Sequence, residues 1–476
     1  MNQQSPLSAP QSPISNPQSP ISNPQSPIPN PQSPLPNPQS PVSGLRSPLS
    51  NRLWLLILLA SLALRLAAVA VMGNRVEGLP GIVDQISYHT LAQRVLSGHG
   101  FTMPTDWWPV TRANEPTAHW SYLYTLYLTA VYAVFGVKPL AARLLQALIV
   151  GLLWPWLTLR VGRRVGGPAV GLVAAAWSAV YGYFAYYSAA LMTESFYITA
   201  ILWTLDRSLT LAHGDWRKRQ WALLGLAIGV TVLLRQVFLV FVPVLFLWLW
   251  LAPGRRGFTP AEVAASPSLG GRLRGSLLAL AIMLLLILPW TVRNYRAFGH
   301  FVPLNTNAGY AFFWANHPIY GAQFVAILPG KAPYQRLIPA ELRSLDEAAL
   351  DSALLRRGFE FVMQDPARYF LLSLSRLRTF FMFWPESESS FLSNLVRVLS
   401  FGVALPFIIV GLWLTAREWR RWSLLWLFVA VYTVVHLLSW ALVRYRLPVD
   451  GVLLIFASPA LLRLLMLSGR RLQSRP

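Results

Sequence analysis

Long apolar runs separated by small groups of Arg and Lys dominate this sequence, and they leave few folds open to it. Leu53 to Met72 has about the ~20 residues that a helix needs to cross a bilayer. Further apolar runs follow at Tyr122 to Phe135, Leu140 to Leu159, Ala169 to Tyr187, Phe196 to Leu211, Trp221 to Leu234, Val237 to Leu251, Leu277 to Trp290, Leu395 to Thr415, Leu424 to Trp440 and Val449 to Leu465. Inside hydrocarbon every backbone N–H and C=O must be satisfied without water, so runs of this length are read as helices. Composition agrees: 54% of the 476 residues are hydrophobic and 12% charged, against about 25% charged in a soluble domain. The chain reads as an all-α integral membrane protein.

If every run crossed, Asp84 and Glu194 would lie on opposite faces. The basic groups argue otherwise. Arg160/Arg163/Arg164, Arg217/Lys218/Arg219, Arg255/Arg256/Arg272/Arg274, Arg417/Arg420/Arg421 and Arg470/Arg471/Arg475 all fall on the cytoplasmic side if Tyr122 to Phe135 does not cross. That run is short and carries four tyrosines, which suits a helix lying in the interface. The expectation is about ten transmembrane helices, with interfacial helices in a long first external loop, a small external cap and both termini cytoplasmic. It divides the chain into a Pro/Ser/Asn-rich tail (1–52), a transmembrane module (53–290) that includes the first external loop (73–138), a second external loop (291–394) and C-terminal membrane helices with a basic tail (395–476). The second loop carries a helical stretch at Asp346 to Met363, and the aromatic, Arg-bearing segment Tyr369 to Trp384 is placed on the membrane surface.

The tail repeats QSPISNP with small changes, a composition that cannot build a core and reads as disordered polyproline-like chain. A secretory signal peptide is not expected behind so polar a start. The net charge of +22 is spread between apolar runs and not gathered on one soluble face, so nucleic acid is not the expected partner. The absence of cysteine removes thiolate chemistry and disulfides. No HExxH, GxGxxG or GxxxxGK[ST] pattern points to a zinc or nucleotide site.

The polar groups on the external side carry the functional expectation. In GIVDQISYHTLAQRVLSGHGF, Asp84 heads a stripe of Tyr88, Leu91, Ala92 and Val95 at helical spacing. It reads either as a helix cap or as a functional carboxylate. Glu194 opens the next run after an aromatic stretch, where a carboxylate is either a helix-start acid or paired and functional; the cost is roughly 2.5–3.5 kcal/mol at mid-membrane. Arg235, Arg293, Arg444 and Arg446 map to the same side. A guanidinium fork suits phosphate oxygens, the alternative being anchorage to head groups.

Taken in order, Asp84/Tyr88/Ala92/Leu96/Gly98/Gly100, the turn Phe135-Gly136 with Arg143, Thr193-Glu194, Arg293-Asn294-Tyr295 and Arg444-Tyr445-Arg446-Leu447-Pro448 resemble the bacterial branch of polytopic C-type glycosyltransferases. These are relatives of the dolichyl-phosphate-mannose protein mannosyltransferases and the lipid A aminoarabinose transferases. The resemblance covers roughly Leu53 to Leu465 and implies a membrane glycosyltransferase of the hexosyl or pentosyl class, located in the inner membrane with its active site external. It would move a sugar from a polyprenyl-phosphate carrier to a lipid, glycan or protein acceptor of the cell envelope. Asp84 and Glu194 match the family's catalytic acids, and Tyr88, His89, Arg235, Arg293, Asn294, Arg444 and Arg446 complete the expected substrate-binding set. Many members carry two adjacent acids where this chain has Asp84-Gln85, so a divalent cation, Mg or Mn, would have to be shared by Asp84 and Glu194. A polytopic transporter or lipid flippase is the rival reading, and it fits less well because the notable charges sit at one face and no repeated span pattern is seen.

Overall fold

The computed structural model describes residues 48–78, 83–107, 111–251, 267–328, 333–387 and 389–473. The tail repeat, Arg255, Arg256 and Arg475 lie outside them. Among the described residues no strand forms, only isolated bridges such as Thr102 with Pro116. The helices are α1 (Pro48–Met72), α2 (Asp84–Leu96), α3 (Tyr122–Phe135), α4 (Pro139–Gly166), α5 (Pro168–Val180), α6 (Gly182–Ala189), α7 (Glu194–Ala212), α8 (Lys218–Leu234) and α9 (Phe241–Leu251). They continue with α10 (Leu269–Phe298), α11 (Ala308–Asn316), α12 (Pro333–Leu337), α13 (Glu347–Gln364), α14 (Pro366–Phe380), α15 (Phe391–Arg397), α16 (Val403–Ala416), α17 (Trp419–Leu438) and α18 (Val443–Gln473).

Six helical stretches are long and apolar enough to cross a membrane, or seven if α5 and α6, which meet at 55°, make one broken span. The expected runs around α7, α8 and α9 do form helices but stay outside that set. Asp206 and Arg207 interrupt α7, while α8 and α9 have 17 and 11 residues. Helix α3 has 14 residues, about 21 Å, too short for a hydrocarbon core of about 30 Å. Short and broken helices matter here because they bring helix ends, with their unpaired backbone groups, inside the protein.

Close packing of small residues ties the bundle together. A Cβ on Gly411 of α16 would meet the Phe456 carbonyl of α18 at 1.8 Å. The elbow between α6 and α7 is buried, and its backbone is satisfied by side chains. Gln146 donates to the Ser188 and Ala190 carbonyls at 2.9 and 2.8 Å, Arg143 donates to the Ala189 carbonyl at 2.8 Å, and Gln85 accepts from Leu191 N at 2.9 Å. Gln85 thus does structural work at the position where an adjacent acid was noted as missing.

The second loop folds as a cap around Tyr310, Trp314, Tyr334, Leu350 and Leu354. Helix α13 begins as the sequence indicates, with Asp346 accepting from Ala348 and Ala349 N at 2.9 Å each. Gly309 is packed so closely that a Cβ would lie 1.8 Å from the Asp351 carbonyl. Buried Glu347 joins cap to first loop: it accepts from Thr111 (2.9 Å), Thr117 (2.7 Å), Ala118 N (2.8 Å) and Thr306. Helix α14 leaves Phe370, Leu371, Leu374 and Leu377 exposed along one side and buries Leu372, Arg376 and Phe380 on the other, a face suited to a membrane surface.

A cysteine-free chain allows single-cysteine accessibility labelling of this topology. With α3 not crossing, Ser97→Cys and Glu341→Cys should react from one side of sealed vesicles and Ala169→Cys from the other. Reaction of Ser97→Cys and Ala169→Cys from the same side would make α3 a span.

Candidate active site

Four helix ends meet at one level. They are the first residues of α2 and α7, the end of α8, and the start of α18. Asp84 is the first residue of α2, but the N-cap is Val83, which offers no side-chain cap, so capping does not account for the carboxylate. Its Oδ2 accepts instead from Arg444 Nη1 at 2.8 Å. The same Arg444 Nη1 lies 3.7 Å from Glu194 Oε1, and that oxygen is also bonded by Arg235 Nη2. Arg235 Nε donates to Thr193 Oγ1 at 2.9 Å. Both guanidiniums flank the Tyr445 ring, and Arg235 also lies over Tyr197.

The result is a neutral network of two carboxylates and two guanidiniums whose groups differ in access. Glu194 is 1% exposed and Asp84 28%. Two buried polar atoms of the network, Glu194 Oε2 and Arg444 Nε, have no hydrogen-bond partner among the described residues. Such atoms are costly unless something else bonds them. Each acid sits at a helix N-terminus and Arg235 at a C-terminus, the dipole-favoured arrangement. Burial opposes ionisation of Asp84, yet Arg444, with help from Arg235 and His119, outweighs it and holds the carboxyl below its usual range.

Tyr88 lies one turn along α2, accepting from Ser121 N at 3.3 Å and edge-on to Tyr124. His119 is anchored by Nδ1, 3.1 Å from the Thr306 carbonyl. That contact needs the proton on Nδ1 and leaves Nε2 as the acceptor. Burial pushes His119 below its usual pKa, keeping it neutral near pH 7. Nothing in its spacing marked His119 or Tyr445 as part of this site; Tyr445 carried a signal only through its two arginine neighbours.

Other expected site residues are placed elsewhere. His89 pairs with Tyr132 at 2.8 Å, and the charged group that acts on it is Arg143. Arg293 donates to the Thr117 carbonyl (2.9 Å), Tyr122 Oη (3.1 Å) and the Phe101 carbonyl (3.3 Å). Asn294 donates to the Val302 and Leu304 carbonyls at 3.1 and 2.7 Å. Arg293 thus pins the first loop to the end of α10, and Asn294 pins the segment that follows α10. Arg446 is fully buried, pairs with Asp450 at 2.9 Å and donates to the Phe380 carbonyl at 2.9 Å, while Tyr181 Oη donates to Asp450 at 2.8 Å. It fastens α18 to α14 and to the α5–α6 bend, two residues from Arg444.

An apolar cavity of about 410 Å³ lies between α3, α4, α7 and α8. Its lining includes Tyr127, Trp156 and Trp203, with Phe196, two residues after Glu194, and Leu234, the residue before Arg235, and none of the four charged groups. Among the described residues no group of three or more His, Asp or Glu is placed to hold a metal ion.

No family model and no curated protein sequence matches the chain. Solved structures do. The oligosaccharyltransferase of Archaeoglobus fulgidus in its apo form is similar over 91% of this chain and 52% of that one, with 14% identity and a TM-score of 0.56. The archaeal oligosaccharyltransferase AglB from Archaeoglobus fulgidus, in complex with an inhibitory peptide and a dolichol-phosphate, is similar over 91% and 53%, with 15% identity and a TM-score of 0.54. ArnT from Cupriavidus metallidurans bound to undecaprenyl phosphate gives 86% and 60%, with 15% identity and a TM-score of 0.49. The chain therefore has the fold of polytopic membrane transferases and spans about half the length of the archaeal enzymes.

The Asp84–Arg444 pair predicts a pH signature. A depressed carboxyl contributes stability above its unfolded value of 3.8 and loses it as pH falls through the folded value. The gap in thermal stability between wild type and Arg444→Gln should be widest above pH 3.8 and narrow on acidification. A gap that does not change with pH would detach Asp84 from Arg444.

Proposed function

We propose that this fold serves an integral-membrane glycosyltransferase that takes a sugar from a polyprenyl-phosphate carrier and gives it to an acceptor hydroxyl or amine. The carrying observation is the convergence of Arg235 and Arg444 with Asp84 and Glu194 where four helix ends meet, in a bundle that also holds an apolar cavity whose lining includes Leu234, the residue before Arg235. A lipid-linked sugar phosphate needs that combination: apolar lining for the chain and guanidinium forks for the phosphate. The dolichol-phosphate in the AglB complex supports the same substrate class.

In this reading the acceptor oxygen or nitrogen attacks the anomeric carbon, its proton passes to Asp84, and the bond from that carbon to the phosphate oxygen breaks. The polyprenyl phosphate leaves with the electron pair, and Arg235 and Arg444 stabilise the charge that develops on it. Arg444 has a second effect. While it bonds Asp84 the carboxylate is a weak base, and when the phosphate draws the guanidinium away, burial makes Asp84 more basic. Glu194 holds Arg235 in place and leaves Oε2 to accept from a sugar or acceptor hydroxyl. Tyr88 and His119 border the acceptor side of Asp84.

A divalent cation does not fit this set of groups. One oxygen of each carboxylate is taken by a guanidinium, and a dication would sit against two positive charges with no third protein ligand among the described residues. We assign the phosphate-binding charge to arginine. We also place the site on the external face of the inner membrane, with both termini cytoplasmic, because the basic groups at the opposite helix ends favour that orientation. The second loop, 291–394, would then close the acceptor side as a cap over the 53–290 module.

The test is transfer from a panel of polyprenyl-phosphate sugars by the purified chain. Asp84→Asn should lower turnover by ~10²-fold or more while the folded protein still binds the lipid donor. Near-normal turnover in folded Asp84→Asn would remove Asp84 as the base, and no loss of sugar from any donor would remove the transferase reading.

A further inference from the structure

A second charged cluster lies at the other end of α7. Asp206 is twelve residues, about 18 Å of helix, from Glu194 and is fully buried. Arg207 pairs with its Oδ2 through Nε at 3.0 Å and through Nη2. Arg160 Nε reaches Oδ1 at 3.0 Å, and Arg164 Nη1 bonds the same Oδ1 and, at 2.9 Å, the Asp206 carbonyl. Arg421 Nη2 comes to 3.5 Å from the Arg164 carbonyl and brings a fourth cation to the place, its Nη1 lying 4.0 Å from the exposed carboxylate of Glu418.

One arginine would already neutralise Asp206, and Arg207 does so through two nitrogens on Oδ2. Arg160 and Arg164 instead hold two like charges on a single oxygen, an arrangement that costs electrostatic energy unless another anion shares them. Neither is sealed in the bundle. Their side chains are 31% and 23% exposed, and Arg160 Nη1 and Nη2 make no hydrogen bond among the described residues. The Arg160 guanidinium lies over the half-exposed Trp156 ring at 4.9 Å, a pairing that fixes the fork at the edge of the apolar surface. Phospholipid phosphates lie at the depth where apolar helix surface gives way to basic groups, and basic pockets between membrane helices on the cytoplasmic side suit anionic head groups.

We propose that Arg160 and Arg164, with Arg421 at the rim, bind the phosphate of an anionic membrane phospholipid in the leaflet opposite the candidate active site. Asp206 is the fixed counter-ion that orders the forks, and the lipid joins α4, α7 and α17 at that face. The proposal does not rest on the transferase reading.

The 20 tryptophans give an intrinsic signal for thermal unfolding of the full chain in neutral detergent. Dioleoylphosphatidylglycerol should raise the midpoint, whereas dioleoylphosphatidylcholine and inorganic phosphate at equal concentration should not. Arg160→Gln/Arg164→Gln should lose most of that rise, and Arg219→Gln/Arg417→Gln, two exposed cations of the same side, should keep it. The single Arg160→Gln, which leaves Asp206 two partners, should fold and show a reduced rise if the double variant does not fold. Native mass spectrometry of the wild type should retain phosphatidylglycerol in preference to phosphatidylcholine. Equal responses to the two lipids, a full rise in the folded arginine variants, or a rise with inorganic phosphate alone would each overturn the assignment, the first two leaving a purely structural ion cluster and the third a free-phosphate site.

Discussion

Arg444 reaches across 360 residues of sequence to hold Asp84 and, through the same nitrogen, approaches Glu194. Removing one member of such a buried set leaves an unpaired charge, which costs about 3–5 kcal/mol, whereas the set as a whole contributes little to stability. Its presence is therefore better explained by what it does than by what it stabilises. The architecture around it is arranged to permit it. Helices α2, α7, α8 and α18 end or begin at this level, so each charge meets a helix dipole or an opposite charge instead of lipid.

Two further networks keep those helix ends in register. The buried elbow before Glu194 is held by Gln85, Gln146 and Arg143, each bonded to backbone that would otherwise be unsatisfied. The start of α18 is held by Arg446, Asp450 and Tyr181. Glu347 gathers donors from both loops and so joins the cap to the first loop. Rigid positioning of this kind is what a site needs if its charges are to act on a phosphate and a proton at fixed places.

Much of this was legible in the sequence. The apolar runs gave the helical membrane fold, the length of Tyr122 to Phe135 set it apart from the spans, and Asp346 marked the start of α13. Asp84, Glu194, Arg235 and Arg444, which converge, were readable because a charge beside an apolar run is expensive and so is kept for a reason. The same logic could not separate Arg444 from Arg293 and Arg446. Arg293 divides its hydrogen bonds between two backbone carbonyls and the side chains of Tyr122 and Asn294, and since every residue has a carbonyl, no side-chain pattern advertises the first two. His119 stood out in the sequence only as a histidine just after the first-loop helix, with no metal-ligand spacing, since its orientation comes from the Thr306 carbonyl in a distant loop. The number of spans was also blurred: α7, α8 and α9 are apolar but short or charge-bearing, and hydropathy alone does not distinguish crossing from packing inside a bundle.

The central claim is that Arg235 and Arg444 recognise the phosphate of a lipid carrier, and it is tested most directly by binding without any chemistry. The purified chain should bind a polyprenyl phosphate at least ~10-fold more tightly than the matching polyprenol, a difference of about 1.4 kcal/mol, and folded Arg235→Gln/Arg444→Gln protein should lose that preference. Equal affinity for the phosphate and the alcohol in the wild type, or an undiminished preference in the folded double variant, would contradict the account.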